Sequence, residues 1–170
     1  MDDLKWAIAR QIPHLRRFAL ALTKDQPEAD DVVQDCLEKA LKKRFLWRRK
    51  GSLRSWLFSM LYRMHIDHRR SRRRSELSVG PEAIDAVVSH APNQEHRLEC
   101  RDIGEAIDRL PDEQRDVVLL VALEGVAYDE AAEILNVPIG TIRSRLSRGR
   151  QTLRRLRSPA TRQRILRRVK

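Results

Sequence analysis

Arg143, Ser144, Ser147, Arg148, Arg150, Gln151, Arg154 and Arg155 recur at helical spacing near the end of the chain, interleaved with Ile142, Leu146, Gly149, Leu153 and Leu156 at steps of four and three. Guanidinium and hydroxyl donors on one side of a helix, with apolar residues on the other, suit hydrogen bonding to base edges and phosphate oxygens. From Ile139 to Lys170 there are 12 Lys and Arg and no Asp or Glu, a bias that a merely solvated helix face rarely carries. The chemistry implied is recognition of DNA.

A helix that reads DNA must be held at a fixed angle by what precedes it. Ala127, Ala131, Ala132, Ile134 and Leu135 give a first helix an apolar side, and Asn136-Val137-Pro138-Ile139-Gly140 breaks it with residues that tolerate left-handed or fixed backbone angles. The small Ala132 lies four residues before Asn136 and Ile142 six after it, the spacing of a helix-turn-helix. Ordinary helical hairpins share this spacing, and the absence of acids on the second helix is what separates the two readings.

With 41% hydrophobic residues and no apolar run near the length of about 18 that a membrane span needs, the sequence of 170 residues predicts a soluble globular protein without membrane insertion. It opens on Asp2 and Asp3, with no visible signal peptide. Cys36 and Cys100 suit packing in a reducing cytoplasm better than a disulfide scaffold. The net charge of +11 calls for a polyanionic partner, and an aromatic content of 5% argues against a membrane surface. Residues 1–74 carry 19 basic and 9 acidic side chains, residues 75–95 none and 4, and residues 96–170 16 and 11, so two basic modules flank an acidic segment. Gly80, Pro81 and Pro92 interrupt any periodicity there. The expectation is an all-α protein: two small helical domains, 1–74 and 96–170, joined by a flexible acidic linker, the second holding the helix-turn-helix and a short basic tail.

In the first module, Leu4 to Leu22 follow helical spacing, with Pro13 predicted to kink or restart the helix. Asp25-Gln26-Pro27-Glu28 reads as a capped helix start, followed by a stripe of Ala29, Val32, Val33, Cys36, Leu37, Ala40 and Leu41. Glu28, Asp30, Asp31, Asp35 and Glu38 on its outer face exceed what helix-dipole complementarity needs and suggest an acid-mediated protein contact. Arg48, Arg49 and Lys50 form a basic loop before a helix whose predicted buried stripe is Leu53, Trp56, Leu57, Met60, Leu61 and Met64. That helix ends in Arg69, Arg70, Arg72, Arg73 and Arg74, suited to a nucleic-acid groove. His65, Asp67 and His68 invite a metal, but no further ligand stands at suitable spacing, and no metal or other cofactor is expected. With neither a glycine-rich phosphate loop nor a nucleophile-base pair, the sequence does not read as an enzyme. In the second module, Leu110-Pro111-Asp112-Glu113 starts a helix whose run Val117 to Leu123 should centre the core, with Gly125 ending it.

Glu28-Ala29-Asp30-Asp31-Val32-Val33-Gln34-Asp35, Trp56-Leu57-Phe58 with the basic run from Asp67 to Arg74, Leu110-Pro111-Asp112-Glu113-Gln114-Arg115, and Glu130 to Leu135 leading to Gly140 to Leu146 occur in one order. With these motifs the chain resembles the extracytoplasmic-function sigma factors of bacterial RNA polymerase. The resemblance implies a sigma-two domain over 1–74, a sigma-four domain over 96–170, and partners that include core RNA polymerase, promoter DNA and an anti-sigma factor, in the cytoplasm. It implies that Asp30, Asp31, Gln34, Asp35 and Glu38 dock on polymerase. Arg48, Arg49, Lys50, Trp56, Arg63, Asp67, Arg69 and Arg70 would engage the minus-ten element. Thr141, Arg143, Ser144, Ser147, Arg148, Arg150, Arg154 and Arg155 would engage the minus-thirty-five element. Two positions depart from the family pattern: Arg63 stands where asparagine is usual, and Gly149 where alanine is usual.

Overall fold

The computed structural model describes residues 2–47, 52–76 and 103–157. The basic loop residues Arg48, Arg49 and Lys50, most of the linker 75–95, Cys100 and the tail 158–170 lie outside them. The described residues form helices and no strand. By packing, the chain divides into two compact units: Met1–Ser89 with Asp129–Asn136, and His90–Tyr128 with Val137–Lys170.

The first unit begins with α1 (Asp2–Ala9) and α2 (Ile12–Thr23), whose first turn holds Pro13, so the helix restarts where the proline lacks a donor. Lys24 closes α2 in the left-handed region at φ 61°, its N–H donating to Leu20 O at 2.8 Å. One residue on, Asp25 caps α3 (Gln26–Lys42), its Oδ1 accepting from the Glu28 N–H at 2.8 Å. A 3₁₀ turn, Arg44–Leu46, follows, and then α4 (Leu53–Glu76). The core between α2, α3 and α4 holds Leu15, Phe18, Val32, Cys36, Leu57, Phe58 and Leu61. Phe18 and Phe58 stack with centroids 5.2 Å apart. Burial pushes the Cys36 thiol up to about 12, and its Sγ lies 3.6 Å from Leu57 O.

The buried stripe of α4 is rotated from the sequence expectation. Leu57, Phe58, Leu61 and His65 are buried, whereas Trp56, Met60 and Met64 are only half-buried. A stripe through Trp56 overlooks Phe58, which the stack with Phe18 draws inward. On α3, Leu41 is exposed rather than part of the core.

In the second unit, helical residues 103–108 (α5) precede α6 (Asp112–Val118), which widens into one π-helical turn at Leu119–Leu123. That turn closes with the Glu124 N–H on Leu119 O at 3.1 Å, and Gly125 then turns the chain at φ 64°. Val117 to Leu120 are buried, but Ala122 and Leu123 are exposed, so the apolar run is central only in its first half. In α7 (Tyr128–Leu135), Ala131 and Ile134 are fully buried and Ala132 half-buried. Asn136 takes φ 52°, and α8 (Ile139–Arg157) follows two residues later. α8 packs on α6 through a buried edge that includes Ile142, Leu146 and Gly149.

Candidate nucleic-acid interface

Away from that edge, α8 exposes Arg143, Ser147, Arg148, Arg150, Gln151, Arg154 and Arg155. Thr141 and Ser144 are half-buried, and the Ser144 hydroxyl donates to Thr141 O at 3.0 Å, which leaves its oxygen to accept. Arg143, Ser147, Arg150 and Arg154 line a shallow groove with Tyr128. Three guanidiniums and two hydroxyls without a carboxylate make that groove suited to an anion. Tyr128 was not among the residues singled out by sequence, because a lone aromatic at a helix start has no spacing to mark it.

The seating of α8 rests on its inner side. Arg145 Nη2 lies 2.8 Å from Glu113 Oε2 in the first turn of α6, and its side chain is only 20% exposed. One turn on, a Cβ at Gly149 would stand 2.9 Å from Val118 Cγ2, closer than van der Waals packing allows. The glycine is thus a point of close helix approach and does not face outward, which accounts locally for its presence where relatives of this type usually have alanine. Arg115, buried in α6, pairs with Asp112 at 3.0 Å and stiffens the same end of the helix.

On α4, Trp56, Arg63, Asp67 and Arg70 fall on one stripe at steps of seven, four and three. Arg63, Asp67 and Arg70 are exposed along it; Arg69 is half-buried and off it. The basic run does not act as a uniform cationic rod. Arg72 Nη1 donates to Glu28 Oε2 of α3 at 2.6 Å, and His68 Nε2 lies 3.9 Å from Asp35 Oδ2. One side of the run therefore faces acids of its own unit while the Arg63 to Arg70 stripe faces out.

The acids of α3 are arranged accordingly. Asp31, Gln34, Asp35 and Glu38 are exposed and Asp30 half-buried. Arg16 lies 3.4 Å from Asp30, which also accepts from Gln26 Nε2 at 2.9 Å; Lys42 and Gln34 each approach Glu38 at 3.4 Å. Asp31 forms no ion pair among the described residues, and it borders a groove shared with Glu28, His68 and Arg72. Among those residues no group of three or more His, Cys, Asp or Glu could hold a metal ion, and no helix is long and apolar enough to cross a membrane.

Residues 8–62 match the family described as the Sigma2 domain of PhyR, and residues 100–153 match Sigma-70, region 4. The chain is 35% identical over 153 residues to the ECF RNA polymerase sigma factor EcfG of Rhodopseudomonas palustris, covering 89% of this chain and 83% of that one. It is 34% identical to the ECF RNA polymerase sigma factor SigC of Mycobacterium tuberculosis, over 81% of this chain and 74% of that one. Among solved structures it resembles the sigma factor RpoE of Bartonella quintana in complex with the anti-sigma factor NepR. The TM-score there is 0.83 and the identity 33%, over 92% of this chain and 97% of that one.

Proposed function

The chain belongs to the extracytoplasmic-function sigma factors of bacterial RNA polymerase, non-enzymatic factors that direct the polymerase to promoters, and from that premise we propose how its surfaces divide the work. Residues 96–170 form the sigma-four domain, in which α8 enters the major groove of the minus-thirty-five element. Arg143, Ser144, Ser147 and Arg148 read bases, while Thr141, Arg150, Arg154 and Arg155 hold phosphates. Residues 1–74 form the sigma-two domain. Its α4 stripe of Trp56, Arg63, Asp67 and Arg70, with Arg69 beside it and the Arg48, Arg49 and Lys50 loop, engages the minus-ten element and assists strand opening. Asp30, Asp31, Gln34, Asp35 and Glu38 dock on core polymerase. The acidic linker over 75–95 threads the enzyme's RNA channel.

The observation that carries this reading is the partition of α8, with Ile142, Leu146 and Gly149 inward and a row of arginines without a neighbouring acid outward. The similarity to a sigma factor crystallised with an anti-sigma factor supports a further partner of that kind, acting in the cytoplasm. Reconstitution with core polymerase, followed by genome-wide mapping of transcript starts, tests the whole. A shared pair of elements upstream of the starts is expected; starts that share no minus-thirty-five sequence would overturn the role given to α8.

A further inference from the structure

We infer that the inner side of α8 helps determine promoter specificity, with Gly149 against Val118 and Arg145 against Glu113 as positioning residues. This rests on the proposal that α8 reads the minus-thirty-five element. Both contacts lie on one edge of the helix, one turn apart, and both are made to α6. The glycine sets how closely the two helices approach; the ion pair, at the N-terminal end of α6, resists rotation and tilt about that point. Val118 is a β-branched side chain, only 4% exposed, so it has little room to swing away.

The geometric tolerance of base reading makes such a seat matter. Useful hydrogen bonds from side chain to base span only about half an ångström in donor-acceptor distance. An added methyl at Gly149 would have to open a 2.9 Å approach to the 3.4 Å or more of ordinary contact, a displacement of the same size. It would be carried outward to Arg143, Ser147 and Arg148 together. Substitution on the hidden edge thus changes which bases are read without touching a residue that meets DNA. The outcome is a shift in discrimination, which differs from the general weakening that follows loss of a phosphate contact.

The test uses the full chain with core polymerase on a promoter library randomised at minus thirty-five and fixed at minus ten, with the thermal midpoint of each variant measured alongside. Gly149→Ala is expected to lower the output ratio of preferred to scrambled elements by roughly three- to tenfold. Adding Val118→Ala, which makes room for the methyl, should bring that ratio back to within about twofold of the parent. Glu113→Ala alters a side chain that is 71% exposed, so the fold survives it, and it should lower the same ratio with the midpoint almost unmoved. Arg143→Ala is the reference for base reading. If it loses discrimination while Gly149→Ala and Glu113→Ala keep the parental ratio, the seat has no part in specificity. A loss in Gly149→Ala that only follows its midpoint, unrelieved by Val118→Ala and absent from Glu113→Ala, overturns the inference as well. If Arg143→Ala also keeps the parental ratio, the reading of α8 itself fails and the inference falls with it.

Discussion

Arg72 of α4 donates to Glu28 of α3 at 2.6 Å, joining residues 44 apart in sequence and turning one of the tail arginines toward its own unit. Glu28 is only 19% exposed there, but Arg72 is 56% exposed, so solvent screening holds the pair to modest strength. A double-mutant cycle of Glu28→Ala and Arg72→Ala in urea should return a coupling of about 0.5–1 kcal/mol. Arg70→Ala, on the outward stripe, should lower minus-ten-dependent transcription, whereas Arg72→Ala should leave the preferred minus-ten bases as they were. Equal shifts in base preference would refute the division of the run into two faces.

The docking acids are expected to differ among themselves. Asp30, Asp35 and Glu38 already have cationic neighbours in Arg16, His68 and Lys42, while Asp31 forms no ion pair among the described residues. Asp31→Lys should therefore abolish polymerase capture in a pull-down with helicity unchanged, and Asp35→Lys should weaken it less, because His68 already offsets part of its charge. Undiminished capture by both at low and moderate salt would put the docking surface elsewhere.

On α8, Arg143→Ala or Arg148→Ala should cost about 1–3 kcal/mol at the cognate element and relax discrimination there. Arg154→Ala or Arg155→Ala should weaken all sequences alike and reduce the logarithmic salt slope by about 1. Binding isotherms on cognate and scrambled duplexes across a salt series separate the two classes.

Cys36 gives a pH signature. Its thiol is raised from 9.0 to about 12 by burial, so the folded state keeps a proton that the unfolded chain releases sooner. Its contribution to stability is complete below about pH 9 and is lost as pH rises toward about 12. In a Cys100→Ser background, a disulfide reagent at pH 8 should label Cys36 only after denaturant unfolds the first unit. Rapid labelling of the native protein would contradict its burial.

Legibility in the sequence followed the range of the interaction. The Asp25 cap, the Pro13 restart and the left-handed Asn136 were readable because each depends on the conformational chemistry of one or two neighbours. The two sides of α8 were readable because a 3.6-residue period sorts them. The phase of the α4 stripe was not, since Trp56 and Phe58 are both aromatic and only the ring of Phe18 decides which turns inward. Glu113–Arg145, Glu28–Arg72 and the Gly149–Val118 approach join different helices, and no periodicity within one helix can report a contact made by another.

The π-helical turn at Leu119–Leu123 can be viewed as a molecular scar of insertion. Such a turn holds one residue more than the α-helical turn it replaces. Deleting a single codon within it should relax the segment to ordinary helix, while rotating all that follows by about 100° about the axis. Glu124, now 4% exposed, would swing out toward water, and the left-handed Gly125 would end the helix facing another way. A gap at this point in a descendant gene would therefore be no silent change of length: the chain would leave α6 on a new heading and deliver α7 and α8 to a different address.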